Sequence, residues 1–285
     1  MLWETMTEYL KSWFNYSGLA VNMLLIGIAV ALAFGAIWLL AHWPPLFKQH
    51  RLWAVLVASA FLTLLAIVFV QIPLQWYASK ALSHYWDSYT LYHWMLLAGL
   101  PSLIISGFVQ EGAKMVPMVF WWWRSGKTIT PQMGLAIGAL AGAGFGIFEA
   151  TWAHGQTFLA GWTWDVVRLS GLTQGLLPFW ERFWAVAMHI AVSALVGYGL
   201  AKGKGWQFYI LASVLHAAVN FLVLPYRRGM ITLNQVEIYL AAGAALITLV
   251  VLWLRWIPQD DDTVMTPVIP IPPPPGPEKP DGVDV

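Results

Sequence analysis

Residues 131–153 read PQMGLAIGALAGAGFGIFEATWA, a run whose single charged side chain is Glu149. About 20 consecutive apolar residues are what a helix needs to cross ~30 Å of hydrocarbon, so this run predicts a membrane span. Gly134, Gly138, Gly142 and Gly146 recur every four positions. One helix face is therefore nearly bare backbone, against which another helix can close. Phe145 and Glu149 lie on or beside that face, so close packing predicts Glu149 against protein and not against lipid.

Similar runs fall near 19–42, 52–75, 95–123, 180–201, 206–225 and 235–256. They account for a chain that is 59% hydrophobic and 10% charged, against roughly 25% charged in ordinary soluble domains. The fold class is all-α: a polytopic transmembrane helix bundle of about seven spans over residues 1–256. Residues 257–285, with Asp260, Asp261 and Asp262 and then Pro272 to Pro275, have the composition of a disordered acidic and proline-rich tail. The tryptophans, 19 in all, cluster at the ends of the runs and read as interfacial belts. The stretch 76–92 mixes aromatic and polar residues and is expected along the interface; the loop 154–178 has room for a similar surface piece. Lys48 and Arg51, Arg124 and Lys127, and Lys202 and Lys204 fall in alternate loops. By the positive-inside bias this predicts a plasma-membrane protein with its N-terminus outside and its C-terminus cytoplasmic; Arg227 and Arg228 run against the pattern. No cysteine is present and the net charge is +1. That removes thiol chemistry, Cys-ligated zinc and iron–sulfur clusters, and leaves no basic field for nucleic acid.

Chemistry must therefore come from ionisable groups placed inside the spans. A charge near the bilayer centre costs about 2.5–3.5 kcal/mol on insertion scales and persists where it faces the bundle interior and finds a partner. Glu111 and Lys114 on the third span are three residues apart and can pair on one face. Glu149 is on the fourth span. On the fifth, Arg182, His189, Ser193 and Gly197 form a stripe, and on the sixth Ser213, His216 and Asn220 form another. At 1.5 Å per residue, Glu111, His189 and His216 come out at similar depth, roughly 12–15 Å from the outer edge. One shared polar site is the expectation.

The motifs Gln110-Glu111-Gly112-Ala113-Lys114, Phe145 with Glu149, Arg182 leading to His189, and His216 with Asn220 resemble those of the PrsW-type members of the glutamic intramembrane protease clan. That clan also holds the CAAX-processing and bacteriocin-immunity proteins, with the YhfC group a near neighbour. The resemblance covers about 105–225 and follows the family's EExxK, FxxxE, arginine-to-histidine and HxxxN order. It implies hydrolysis of a peptide bond in a membrane-associated protein by glutamate-activated water. Glu149 and His189 would hold or activate the water, His216 and Asn220 would form the oxyanion side, and Lys114 and Arg182 would counter the carboxylate charge. One departure is specific: the first Glu of the pair is Gln110, and an amide cannot take a proton. Glu111 or Glu149 then serves as base, or the chain binds substrates without cutting them.

Other readings of the same residues are a metal-dependent peptidase with zinc held by Glu111, Glu149, His189 and His216, and a transporter with a buried proton or substrate path. A third is a membrane scaffold whose proline-rich tail recruits a partner. Under the peptidase reading no cofactor is expected, zinc being the alternative, and the partners are the bilayer and a membrane-anchored or lipidated protein substrate.

Overall fold

The structure, a computed structural model, describes residues 1–257; the expected tail lies outside them. Ten helices order the described chain: α1 (Leu2–Ser12), α2 (Val21–His42), α3 (Leu52–Tyr85), α4 (Ser88–His93), α5 (Met95–Arg124), α6 (Pro131–Leu159), α7 (Trp164–Ser170), α8 (Leu172–Ala201), α9 (Gly205–Arg227) and α10 (Leu233–Trp256). Seven of them, α2, α3, α5, α6, α8, α9 and α10, are long and apolar enough to cross a membrane. The protein is an all-α polytopic bundle, as the apolar runs predict.

Local chemistry sets the helix ends. Thr130 accepts from the Met133 amide with Pro131 at the first helical position, which starts α6. Thr232 and Gln235 form a reciprocal capping box at α10. Asp87 caps α4 through the Thr90 amide at 2.8 Å, and that bond holds its carboxyl below the usual carboxylate range.

The second span runs further than its sequence suggests, through Gln71, Pro73 and Gln75 to Tyr85. Pro73 lacks an N–H and its ring crowds the preceding turn; the chain answers with a π-helical turn at Ile67–Gln71 just before it. Residues 76–85 thus continue α3, and only Ser88–His93 remains as a short separate piece of the 76–92 stretch. Within 154–178, α6 extends to Leu159, α7 is the surface piece and α8 begins at Leu172.

α6 and α8 form the buried centre of the bundle. A Cβ at Gly134, Gly138 or Gly142 would collide with the backbone carbonyls of Gly197, Ser193 and His189 respectively. Glycine on α6 is what lets the two backbones touch, and dispersion across this seam replaces the hydrophobic drive that lipid cannot supply. Gly107 on α5 meets the Ser213 carbonyl of α9 in the same manner. These two seams bring the polar stripes of α5, α6, α8 and α9 together.

α1, which the sequence does not announce as a helix, covers one flank. Trp13 at its end is buried, stacks on Trp152 at 4.9 Å and packs against Phe145 and Phe148. Burial pushes the Tyr9 phenol beside it up to about 12, the charge of Glu149 adding to the effect.

Candidate active site

Two linked polar groups lie between α5, α6, α8 and α9. In the first, Glu111 and Lys114 occupy one face of α5 and are 1% and 0% exposed. Lys114 Nζ donates to Glu111 Oε1 at 2.5 Å and to His189 Nδ1 at 3.1 Å. His216 Nδ1 donates to the same Glu111 oxygen at 2.7 Å, and Ser193 Oγ reaches Glu111 Oε2 at 3.4 Å. Both carboxylate oxygens of Glu111 are thus taken.

In the second, Glu149 Oε2 accepts from His189 Nε2 and from Arg182 NH1, each at 3.1 Å. Arg182 also pairs with its neighbour Glu181. An ammonium only donates, so His189 must accept at Nδ1 and carry its hydrogen on Nε2, toward Glu149. His189 is therefore the bridge between the two groups. Each carboxylate faces a cation, Glu111 with Lys114 and both Glu149 and Glu181 with Arg182, the condition under which buried charges are tolerated.

The two groups face different surroundings. A cavity of about 140 Å³ is walled by Gln110, Glu149, Arg182, His189, His216 and Asn220, with Met188, Val219 and Leu240 supplying apolar surface. A water molecule's share of liquid volume is about 30 Å³, so the cavity can hold a few. Glu111 is not among its walls. Neighbouring residues on a helix diverge by about 100°, and α5 turns Gln110 toward the cavity and Glu111 away from it. Asn220 lines the cavity one turn from His216, and its side chain makes no hydrogen bond with the described residues.

The amide of Gln110 is oriented by two further glutamines. Gln110 Nε2 donates to Gln71 Oε1 at 3.1 Å and to Ser106 Oγ at 3.2 Å. Gln71 Nε2 points to Gln75 Oε1 at 3.5 Å, and Gln75 Nε2 donates to the Ser102 carbonyl at 2.9 Å. A backbone carbonyl can only accept, so the chain has one direction. It leaves Gln110 Oε1 as a buried acceptor without a partner among the described residues.

All nine residues singled out from the sequence therefore lie at or beside one place: Glu111 and Lys114 in the sealed group, Glu149, Arg182, His189, His216, Asn220 and Gln110 around the cavity, and Phe145 edge-on to His189 at 5.2 Å. Sequence reasoning missed Gln71, Gln75, Glu181 and Glu237. Glu237, on α10, is buried with one oxygen unpartnered among the described residues. Its signal was present, a carboxylate in the first turns of an apolar run. Gln71 and Gln75, four apart in a span, were a signal of the same kind.

Glu111, His189 and His216 bring ligand atoms within 4.8 Å of one another, close enough to hold a metal ion; Glu149 is not in that group. Two imidazoles and a carboxylate are a donor set that zinc accepts, and the Glu149–His189 hydrogen bond resembles the outer support of metal-bound histidines. The arrangement nevertheless does not fit a bound divalent ion as it stands. The ammonium of Lys114 already hydrogen-bonds two of the three residues, through Glu111 Oε1 and His189 Nδ1, and places a positive charge beside the group.

Fold and site together define a multi-pass membrane protein with a polar cavity enclosed among its spans. Residues 48–254 match the model of the PrsW family intramembrane metalloproteases. The chain belongs to that family, and so to the intramembrane proteases at the family's level. Comparison with curated proteins and with solved structures finds no match.

Proposed function

We propose that the protein is an intramembrane endopeptidase in which Glu149 activates the water. The observation that carries this reading is the division of the two carboxylates. Glu149 lines the cavity and keeps Oε1 free of hydrogen bonds among the described residues, whereas Glu111 is sealed behind Lys114, His216 and Ser193.

Water in the cavity gives a proton to Glu149 while its oxygen attacks the scissile carbonyl carbon. Arg182 and the Nε2–H of His189 hold the Glu149 carboxylate in place, so the base does not have to reorganise during the step. The negative charge that develops on the carbonyl oxygen is met by the Asn220 amide and by His216. To donate there, His216 carries hydrogen on both nitrogens, a cation whose charge Glu111 offsets through Nδ1. The proton held by Glu149 then passes to the departing nitrogen, and one water has added across the peptide bond. Gln110 takes no proton in this scheme, so its replacement of a glutamate is compatible with an active enzyme.

The alternation of basic loops supports a cytoplasmic location for the end of the bundle that carries Lys48, Arg124 and Lys202, with the cavity nearer the other face. The substrate class on this reading is a single-span or lipid-anchored protein whose peptide reaches the cavity from within the membrane.

The test is to reconstitute the protein in liposomes with a set of single-span membrane-anchored peptides and to follow products by mass spectrometry in ¹⁸O-labelled water. One heavy oxygen in the new carboxyl terminus is expected. Intact peptides throughout, under conditions where the protein stays folded, would favour a binding relative that does not cut. A second reading, metal-dependent hydrolysis, is favoured by the Glu111, His189 and His216 triangle and requires Lys114 to leave it.

A further inference from the structure

A second and larger cavity, about 690 Å³, lies at the opposite end of the bundle from the catalytic one. Its position follows from α6. Met133 in the first turn lines it, while Glu149, sixteen residues on, lines the catalytic cavity; at 1.5 Å per residue the two are about 24 Å apart. The volume falls within the roughly 300–1,000 Å³ of ligand pockets, and the protease reading gives it no task.

Its walls are apolar, from Leu39, Trp43, Phe47 and Met133, and two cations stand among them, Lys48 and Arg255. Arg255 NH2 donates to the Trp43 carbonyl at 2.9 Å, yet its Nε is buried with no partner among the described residues. That is an N–H aimed at no protein acceptor, a costly arrangement unless a ligand satisfies it. Trp43 and Phe47 are 67% and 95% exposed, so the apolar wall continues onto the outside of the bundle. All three basic loops end here with Arg255, and none of the described Asp and Glu residues lies at this end.

We propose that this cavity binds an anionic phospholipid, with an acyl chain along Leu39, Phe47 and Met133 and its phosphate between Lys48 and Arg255. The occupant must be apolar along most of its length and anionic at one end, and it must approach at headgroup level where the helices finish. A phospholipid of the leaflet facing the basic end meets all three conditions, and basic pockets between spans are known sites for such headgroups. Zwitterionic lipid fits the walls but gives the two cations no net charge to meet.

The test uses the full chain, purified in detergent and analysed by native mass spectrometry with phosphatidylglycerol or phosphatidylcholine of matched acyl chains. The wild type is expected to retain phosphatidylglycerol preferentially. Lys48→Gln, at an exposed position, should weaken that retention about 5-fold and Lys48→Gln with Arg255→Gln about 30-fold. Met133→Trp, which fills the cavity without touching charge, should also lower it, and inorganic phosphate should not compete. Equal retention of the two lipids by the wild type would overturn the proposal, as would undiminished preference in Lys48→Gln or full competition by phosphate alone. If phosphatidylglycerol binds only after residues 258–285 are removed, the occupant in the intact protein is its own acidic tail, and the proposal fails.

Discussion

Lys114 Nζ lies 2.5 Å from Glu111 Oε1, three residues earlier on the same helix, and neither side chain is exposed. The pair is the anchor on which two histidines from two other helices are hung. His216 reaches the same Glu111 oxygen and His189 reaches Lys114. The pair therefore positions the two imidazoles and takes no part in the bond-making step.

Lys114→Met should strip Glu111 of its ammonium partner and leave only His216 and Ser193 facing its carboxylate in the interior, at about 3–5 kcal/mol. Adding Glu111→Leu removes that charge and should restore more than half of the loss, since a buried pair is often replaceable by apolar residues of similar volume. Unfolding of both variants in mixed micelles measures the difference; a double variant no more stable than Lys114→Met would show that the pair is not the anchor.

At the glycine seam, Gly138→Leu should separate α6 from α8, because even a Cβ at 138 meets the Ser193 carbonyl. Overpacking of this kind costs about 1–3 kcal/mol in ordinary cores, and a backbone-to-backbone contact has less room to adapt. Wild-type unfolding behaviour in this variant would contradict the packing described.

Gln110→Leu isolates the departure from the family's paired glutamates. The substitution removes the donor to Gln71 Oε1, a loss of about 1–3 kcal/mol in stability. Cleavage should fall by no more than about 3-fold, about 0.6 kcal/mol on the barrier. A hundredfold loss of activity in folded protein would place Gln110 in the chemistry itself.

Chelators should leave peptide cleavage unchanged and added zinc should not raise it, because the Lys114 ammonium already bonds Glu111 and His189 and repels a second cation there. Loss of activity in a zinc chelator with recovery on zinc addition would instead assign Glu111, His189 and His216 as ligands, with Lys114 displaced.

Most of the architecture is legible in the sequence because lipid is an unforgiving solvent. Apolar runs mark the spans, and each ionisable group inside a run stands out against them, as Glu111, Glu149, His189 and His216 do. The four-residue glycine spacing of α6 correctly anticipates that Glu149 packs against helices. Which carboxylate faces the cavity is not legible, since that depends on the rotation of α5 about its axis, and 100° separates Gln110 from Glu111. Gln71 and Gln75 escaped notice for a different reason. Beside Pro73 they read as the end of a span, and the π-helical turn that carries α3 past the proline has no sequence signature of its own. The helical α1 was likewise hidden, its stability coming from the contact of Trp13 with Phe145, Phe148 and Trp152.

The division of labour between the two glutamates is tested most directly by Glu149→Gln, assayed in liposomes against a peptide that the wild type cleaves, with folding checked in parallel. The amide keeps the shape and an acceptor for His189 but cannot take a proton from water. The expected result is a loss of at least about 10²-fold in cleavage rate, the low end of what a positioned general base contributes, with the protein still folded. Cleavage at the wild-type rate by Glu149→Gln would contradict it and move the chemistry to another group.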